Sequence, residues 1–348
     1  MKKNPAVRNT TMRIRNSCLI SLVLLLLAPS LAYSDLTIAD SSQQREAALP
    51  LNSRIAIASG VRVRSAPSVT AREIARLQLG AVVKELERTS TAEKIGGVED
   101  YWYRVAMLNG QQGWVFGSFV APFDPSRKAD TYRRIAAERR KVESSGFTDL
   151  ADLVRFLSVA ITEVTERDAL ADLELARLLA MKRAAASIPI DQQEEPRYQA
   201  WIKAQASGLV FSDPAGQWFV KSALFWELQK KYGSLPIADQ IAWEGARNFL
   251  PGECEGSLPC HFSLLNQTDG RYLDLYPRGA HAEAALNNIA GVLEELYDLT
   301  KGSERPTAED SAEALKELVA LRAIVAKTAS TRKTRVSEQI SLYLRYYR

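Results

Sequence analysis

The chain has 348 residues with 45 basic against 41 acidic side chains, and at 46% hydrophobic and 25% charged it has the make-up of globular material, not of a disordered or fibrous chain. The net charge of +4 sits at the N-terminus: the first 34 residues hold Lys2, Lys3, Arg8, Arg13 and Arg15 and no acid, so the rest carries 40 basic and 41 acidic residues. A chain that close to neutral lacks the basic face that nucleic acid or an anionic membrane surface would require, and neither is expected as a partner.

Those five cations precede an apolar run at 18–28, which is followed by Pro29 and by Ala32 and Ser34 at the minus-three and minus-one positions of a cleavage before Asp35. This is the layout of a secretory signal peptide over 1–34. The run is eleven residues long, well short of the roughly 20 a spanning helix needs. Cys18 starts the run, whereas a lipidated cysteine would follow it. The expected location is therefore the periplasm or cell surface, with no integral membrane segment after cleavage.

Residues 35–53 are polar and aperiodic and read as a linker. From 54 to 123, short stretches rich in Val, Ile, Tyr and Phe alternate with turn residues, the pattern of a small antiparallel β-barrel. Strands are expected at 54–59, 60–64, 73–77, 81–88, 101–107 and 113–116. Asn109-Gly110 marks a tight hairpin turn with positive φ at both positions. Along the strand before it, Tyr103, Val105 and Met107 share one face, and Trp102, Arg104 and Ala106 the other.

The stretch SGVRVRSAPSVTAREIARLQLGAVVKELE, followed by DYWYRVAMLNGQQGWVFGSFV, resembles the bacterial Src-homology-3-like (SH3b-type) domain. The resemblance rests on Gly60, Val61, Val63, Arg64, Ala66, Pro67, Leu77, Gly80, Val82, Trp102, Val105, Gly110, Gly113, Trp114 and Val115. The segment 89–100 departs from it, being longer and more acidic than the usual loop. The resemblance implies a non-catalytic recognition module for peptidoglycan peptides or proteins. Its groove would lie between 64–70 and 89–100, with Arg64, Trp102 and Trp114 as ligand-binding residues. A plainer alternative makes Trp114 core and Trp102 a partly exposed strand residue.

From Pro125 the period becomes 3.6 and is expected to stay helical to the end, so the fold class is α+β: a barrel, then an all-α domain over 126–348. Residues 126–145 read as a solvated connector helix, whose Arg133, Arg134, Arg139, Arg140 and Lys141 are interspersed with acids. Further helices are expected at 149–164, 168–187, 197–207, 214–232 capped by Asp213, 236–249, 260–275, 280–300, 308–329 capped by Thr307, and 332–347. The piece YLDLYPRGAHAEAALNNIAGVLEEL resembles a tetratricopeptide-like helix pair, without a second copy at the period of such repeats.

Cys254 and Cys260 are the thiols left after cleavage, and in an exported chain their even number favours a disulfide. A zinc site built from them with His261 and His281 lacks any usual ligand spacing, so no metal and no cofactor is expected. His281 reads as a corner residue, and Glu253 and Glu255 as exposed loop. No nucleophile elbow, zincin helix or phosphate loop occurs. The sequence points to an exported binding protein that is not an enzyme, its partner a peptidoglycan peptide or an envelope protein. The alternatives are an adaptor that grips a protein through its helices, and a cell-wall hydrolase whose site carries no recognised motif.

Overall fold

A computed structural model describes residues 52–143, 145–248, 250, 252–300 and 306–348. The expected signal peptide lies outside the described residues, as does the linker up to residue 51. The linker's end is corrected, because Ser53 is buried and opens the first strand.

Alternation builds the barrel. In β2 (Val61–Arg64) both valines are buried and both arginines turn outward; β1 (Ser53–Ala56), β3 (Glu73–Leu77), β4 (Val82–Arg88), β7 (Trp102–Ala106), β8 (Gln112–Phe116) and β9 (Val120–Phe123) join it in one antiparallel sheet of order β3-β2-β8-β7-β4-β1-β9. Its inner core includes Val61, Val63, Val83, Tyr103, Val105 and Val115. The segment 89–100 is a separate hairpin, β5 (Glu93–Ile95) and β6 (Val98–Asp100). Gly96 and Gly97 hold its turn at φ 59° and 88°, which only glycine adopts without strain. Between β7 and β8 the turn differs from expectation: Asn109 is not at positive φ, and a three-residue loop places only Gly110 there.

The helices are α1 (Lys128–Lys141), α2 (Phe147–Glu163), α3 (Arg167–Ala186), α4 (Pro196–Ala204), α5 (Ser222–Tyr232), α6 (Ala238–Ala246), α7 (Leu258–Leu265), α8 (Arg271–Leu275), α9 (Ala282–Leu299), α10 (Ala308–Lys327) and α11 (Lys333–Tyr346). Two expectations fail among them. The region is not all-helical, because β10 (Leu209–Ser212) and β11 (Gln217–Val220) form a hairpin where a helix was expected from 214. Asp213-Pro214 starts the hairpin turn instead of capping a helix, both residues being as suited to one as to the other. Nor is α1 a solvated connector: Tyr132, Ile135 and Ala136 are buried, and Arg133 pairs with Asp172 of α3.

Barrel and helices share one core. Ile55, Leu79 and Phe123 of the barrel join Tyr132, Phe156, Leu157 and Leu173 of α1–α3. Tyr132 stacks on Phe123 and meets Phe156 edge-on, with centroids 6.1 and 5.4 Å apart. Gly80, at φ 82°, admits Phe156, since a Cβ there would lie 2.2 Å from its ring. The Leu79 N–H donates to Asp152 at 2.9 Å, while Arg155 donates to the Leu79 carbonyl at 2.7 Å.

A second core fills the C-terminal helices. Ala285, Leu286, Ile289, Ala290 and Leu293 form the buried stripe of α9, facing Phe262, Leu318, Leu321, Ile340 and Tyr343. Between α7 and α8 the helix widens into one π-helical turn at Asn266–Gly270. Thr307 caps α10 by accepting from the Asp310 N–H. The Cys254–Cys260 disulfide ties the corner before α7 to the first turn of that helix, whose N-cap is Ser257.

Candidate functional site

A groove of about 450 Å³ opens on the barrel between the turn before β2 and the β5–β6 hairpin. Its floor is aromatic. Trp102 and Phe116, opposite each other across β7 and β8, meet edge-on at 5.5 Å, and Phe119 follows Phe116 at 6.2 Å. Val69 and Ile95 close the two sides, and Arg62 and Arg64 stand at the rim.

The structure brings two of the three expected ligand residues together. Arg64 and Trp102 both line the groove, and Trp114 does not. The alternation explains this. Trp114 pairs with Arg64 and with Arg104 on the same outer face as Trp102, but lies two residues along β8 from Phe116, ~7 Å beyond the floor. Trp114 is half-exposed and Trp102 is buried, the reverse of the plainer alternative. What buries Trp102 is the added hairpin, whose Glu93 carboxylate accepts from its indole Nε1 at 2.5 Å.

The rim is cationic. Arg62 lies 3.4 Å from Glu73, and Arg64 donates to the Ala71 carbonyl at 2.7 Å, which leaves guanidinium donors of both free to meet a ligand. The Glu73 carboxyl is held below its ordinary range by hydrogen bonding from Arg76, helped by the charges of Arg62 and Arg64. The Ser59 hydroxyl lines the groove buried and without a protein partner. Such a cleft suits an extended chain with an apolar side chain for the floor, a carboxylate for the rim and a backbone group for Ser59.

Phe116, Phe119, Ile95 and Ser59 were not singled out from the sequence. Ile95-Gly96-Gly97-Val98 carried the missing signal, two glycines between apolar residues, which is a hairpin cue.

Elsewhere, the disulfide takes both thiols and with them the thiolates a zinc ion would need. His281 stands at the N-cap of α9, stacked on Trp243 at 4.7 Å with its Nε2 3.0 Å from Gln240 Oε1, which makes it part of a packed corner. Its backbone N–H donates to the Tyr272 hydroxyl, which donates to Asp239 at 2.5 Å. Burial and that carboxylate raise the Tyr272 phenol above its ordinary value.

Residues 59–121 match the family model for the bacterial SH3 domain. No curated protein and no solved structure matches the chain.

Proposed function

We propose that the protein is an exported, non-catalytic binding protein whose barrel groove takes a cell-wall peptide. The observation that carries this is the groove itself: an aromatic floor of Trp102, Phe116 and Phe119 under two arginines, within a segment that matches the bacterial SH3 domain. Stem peptides of peptidoglycan offer small apolar side chains and free carboxylates, the chemistry that such a floor and rim select. The basic N-terminus and apolar run at 18–28 support export, with Asp35 as the first residue of the mature chain.

Co-sedimentation of the mature protein with insoluble peptidoglycan tests the ligand. The wild type is expected in the pellet. Phe119→Ser, at a partly exposed floor position, should lower retention about tenfold with an unchanged melting temperature, the loss of one aromatic contact. No retention of the wild type sinks the wall-binding reading, and muropeptide release from labelled wall would overturn the non-catalytic one.

A second reading, an envelope adaptor, is favoured by the separate C-terminal core and by the tetratricopeptide-like resemblance of the α8–α9 pair. Surface changes on α9 would then weaken capture of a protein partner while Phe119→Ser leaves it intact.

A further inference from the structure

Where the two cores meet, a hollow of about 580 Å³ lies between the β10–β11 hairpin and helices α3, α6, α7 and α9. Junctions between packed units are where small-molecule sites concentrate, and the volume suits one drug-sized ligand. Most of the wall is apolar, with Trp218, Leu264 and Val292 among its residues, and the charged groups form one connected chain. Lys182 Nζ donates to the Arg247 carbonyl at 3.1 Å, and Arg247 Nη1 lies 3.3 Å from Asp269 Oδ2. Asn288 donates to the other Asp269 oxygen at 3.2 Å.

We propose that this hollow binds an amphipathic carboxylate, its apolar body against Trp218 and Leu264 and its anionic head on Lys182 and Arg247. The sign of the head follows from what each charge has left to give. Both Asp269 oxygens already accept from protein donors, and the carboxylate is 4% exposed, so it offers little to a cation. Lys182 makes one hydrogen bond of the three an ammonium can donate, and Arg247 has guanidinium donors beyond the one facing Asp269. Among the residues that line the hollow these three charges sum to one positive, and the charge of Glu244, outside the lining, offsets part of it at Lys182. Desolvation depresses the Lys182 ammonium below its ordinary value, Glu244 opposing it and Arg247 adding to it, a cost that a bound anion offsets. The π-helical turn aims Asp269 into this seam; such turns recur at functional sites.

The test is titration of the full mature protein with decanoate, decanol and decyltrimethylammonium below their micelle concentrations, read by calorimetry and by tryptophan fluorescence. Decanoate should bind at one per chain, at least tenfold tighter than decanol, and the cationic amphiphile should not bind. Lys182→Gln should weaken decanoate at least tenfold and leave decanol unchanged, and Leu264→Trp should fill the hollow and abolish binding of both. If Leu264→Trp fails to fold, the Lys182→Gln comparison decides. Absence of decanoate binding, equal affinity for all three probes, or indifference to Lys182→Gln overturns the proposal. Phe119→Ser should leave decanoate binding untouched, which separates this site from the barrel groove.

Discussion

The barrel shares its outer core with α1–α3, whereas α7–α11 pack around a core of their own. Secondary structure changes at Pro125, yet packing runs straight through that point. The break in packing falls within α5 and α6, where Phe225 and Leu228 face the first core while Trp226 faces the second. A shift from strand to helix periodicity is thus no guide to where one cooperative unit ends, because burial joins whichever apolar faces meet.

The largest expected effect tests whether barrel and first helices unfold as one. Phe156→Ala removes a ring that touches Gly80 and Tyr132, and should cost about 3–5 kcal/mol. In urea, the near-ultraviolet signal of the barrel and the helical signal should shift together. A barrel transition that stays put would break the comparison.

Next comes the disulfide, which ties a loop to α7, a helix of the second core. The double variant Cys254→Ser, Cys260→Ser should lose roughly 2 kcal/mol, because the bridge closes a short loop and restricts mainly the unfolded chain. Reductant should destabilise the wild type equally and leave the variant unaffected. A loss confined to the barrel's signals would place the bridge in the wrong unit.

Gly97→Ala acts on a smaller scale. Nothing lies within 4 Å of the added methyl, so the cost of about 1 kcal/mol comes from positive φ alone. Amide exchange in β5 and β6 should quicken while the seven-stranded sheet is unchanged, and wall retention should fall with the hairpin that covers Trp102. Unchanged exchange would mean that the hairpin does not depend on its turn.

These elements also mark what the sequence could tell. The strands with strict alternation, such as Val61-Arg62-Val63-Arg64, were legible because one face had to be buried. β9 was not, because Pro122 argues against a strand; it is tolerated since β9 sits at the sheet edge, with β1 as its neighbour in the sheet. Arg64 and Trp102 were named from the SH3 resemblance and do meet in one groove. Phe116 and Phe119 escaped because a floor depends on which residues a neighbouring hairpin covers, and strand parity carries no record of that. The helical hollow was wholly hidden. Lys182, Arg247 and Asp269 are far apart in the chain, and each alone reads as an ordinary charge on a helix.

The subtlest expected effect is a slope instead of an offset, and it belongs to the seam between the two cores. Burial raises the Asp269 carboxyl above its ordinary value, outweighing Asn288 and Arg247, which pull the other way. From the ordinary value near ~4 up to the raised one, the native protein holds a proton that the unfolded chain has released. Stability from this group is therefore fully present at lower pH and is lost as pH rises through the folded value. Asp269→Asn cannot ionise, so its melting temperature relative to wild type should climb as pH rises from about 4 through the raised folded value. A constant difference as pH rises would mean that the carboxyl is solvated, and not buried as the structure has it.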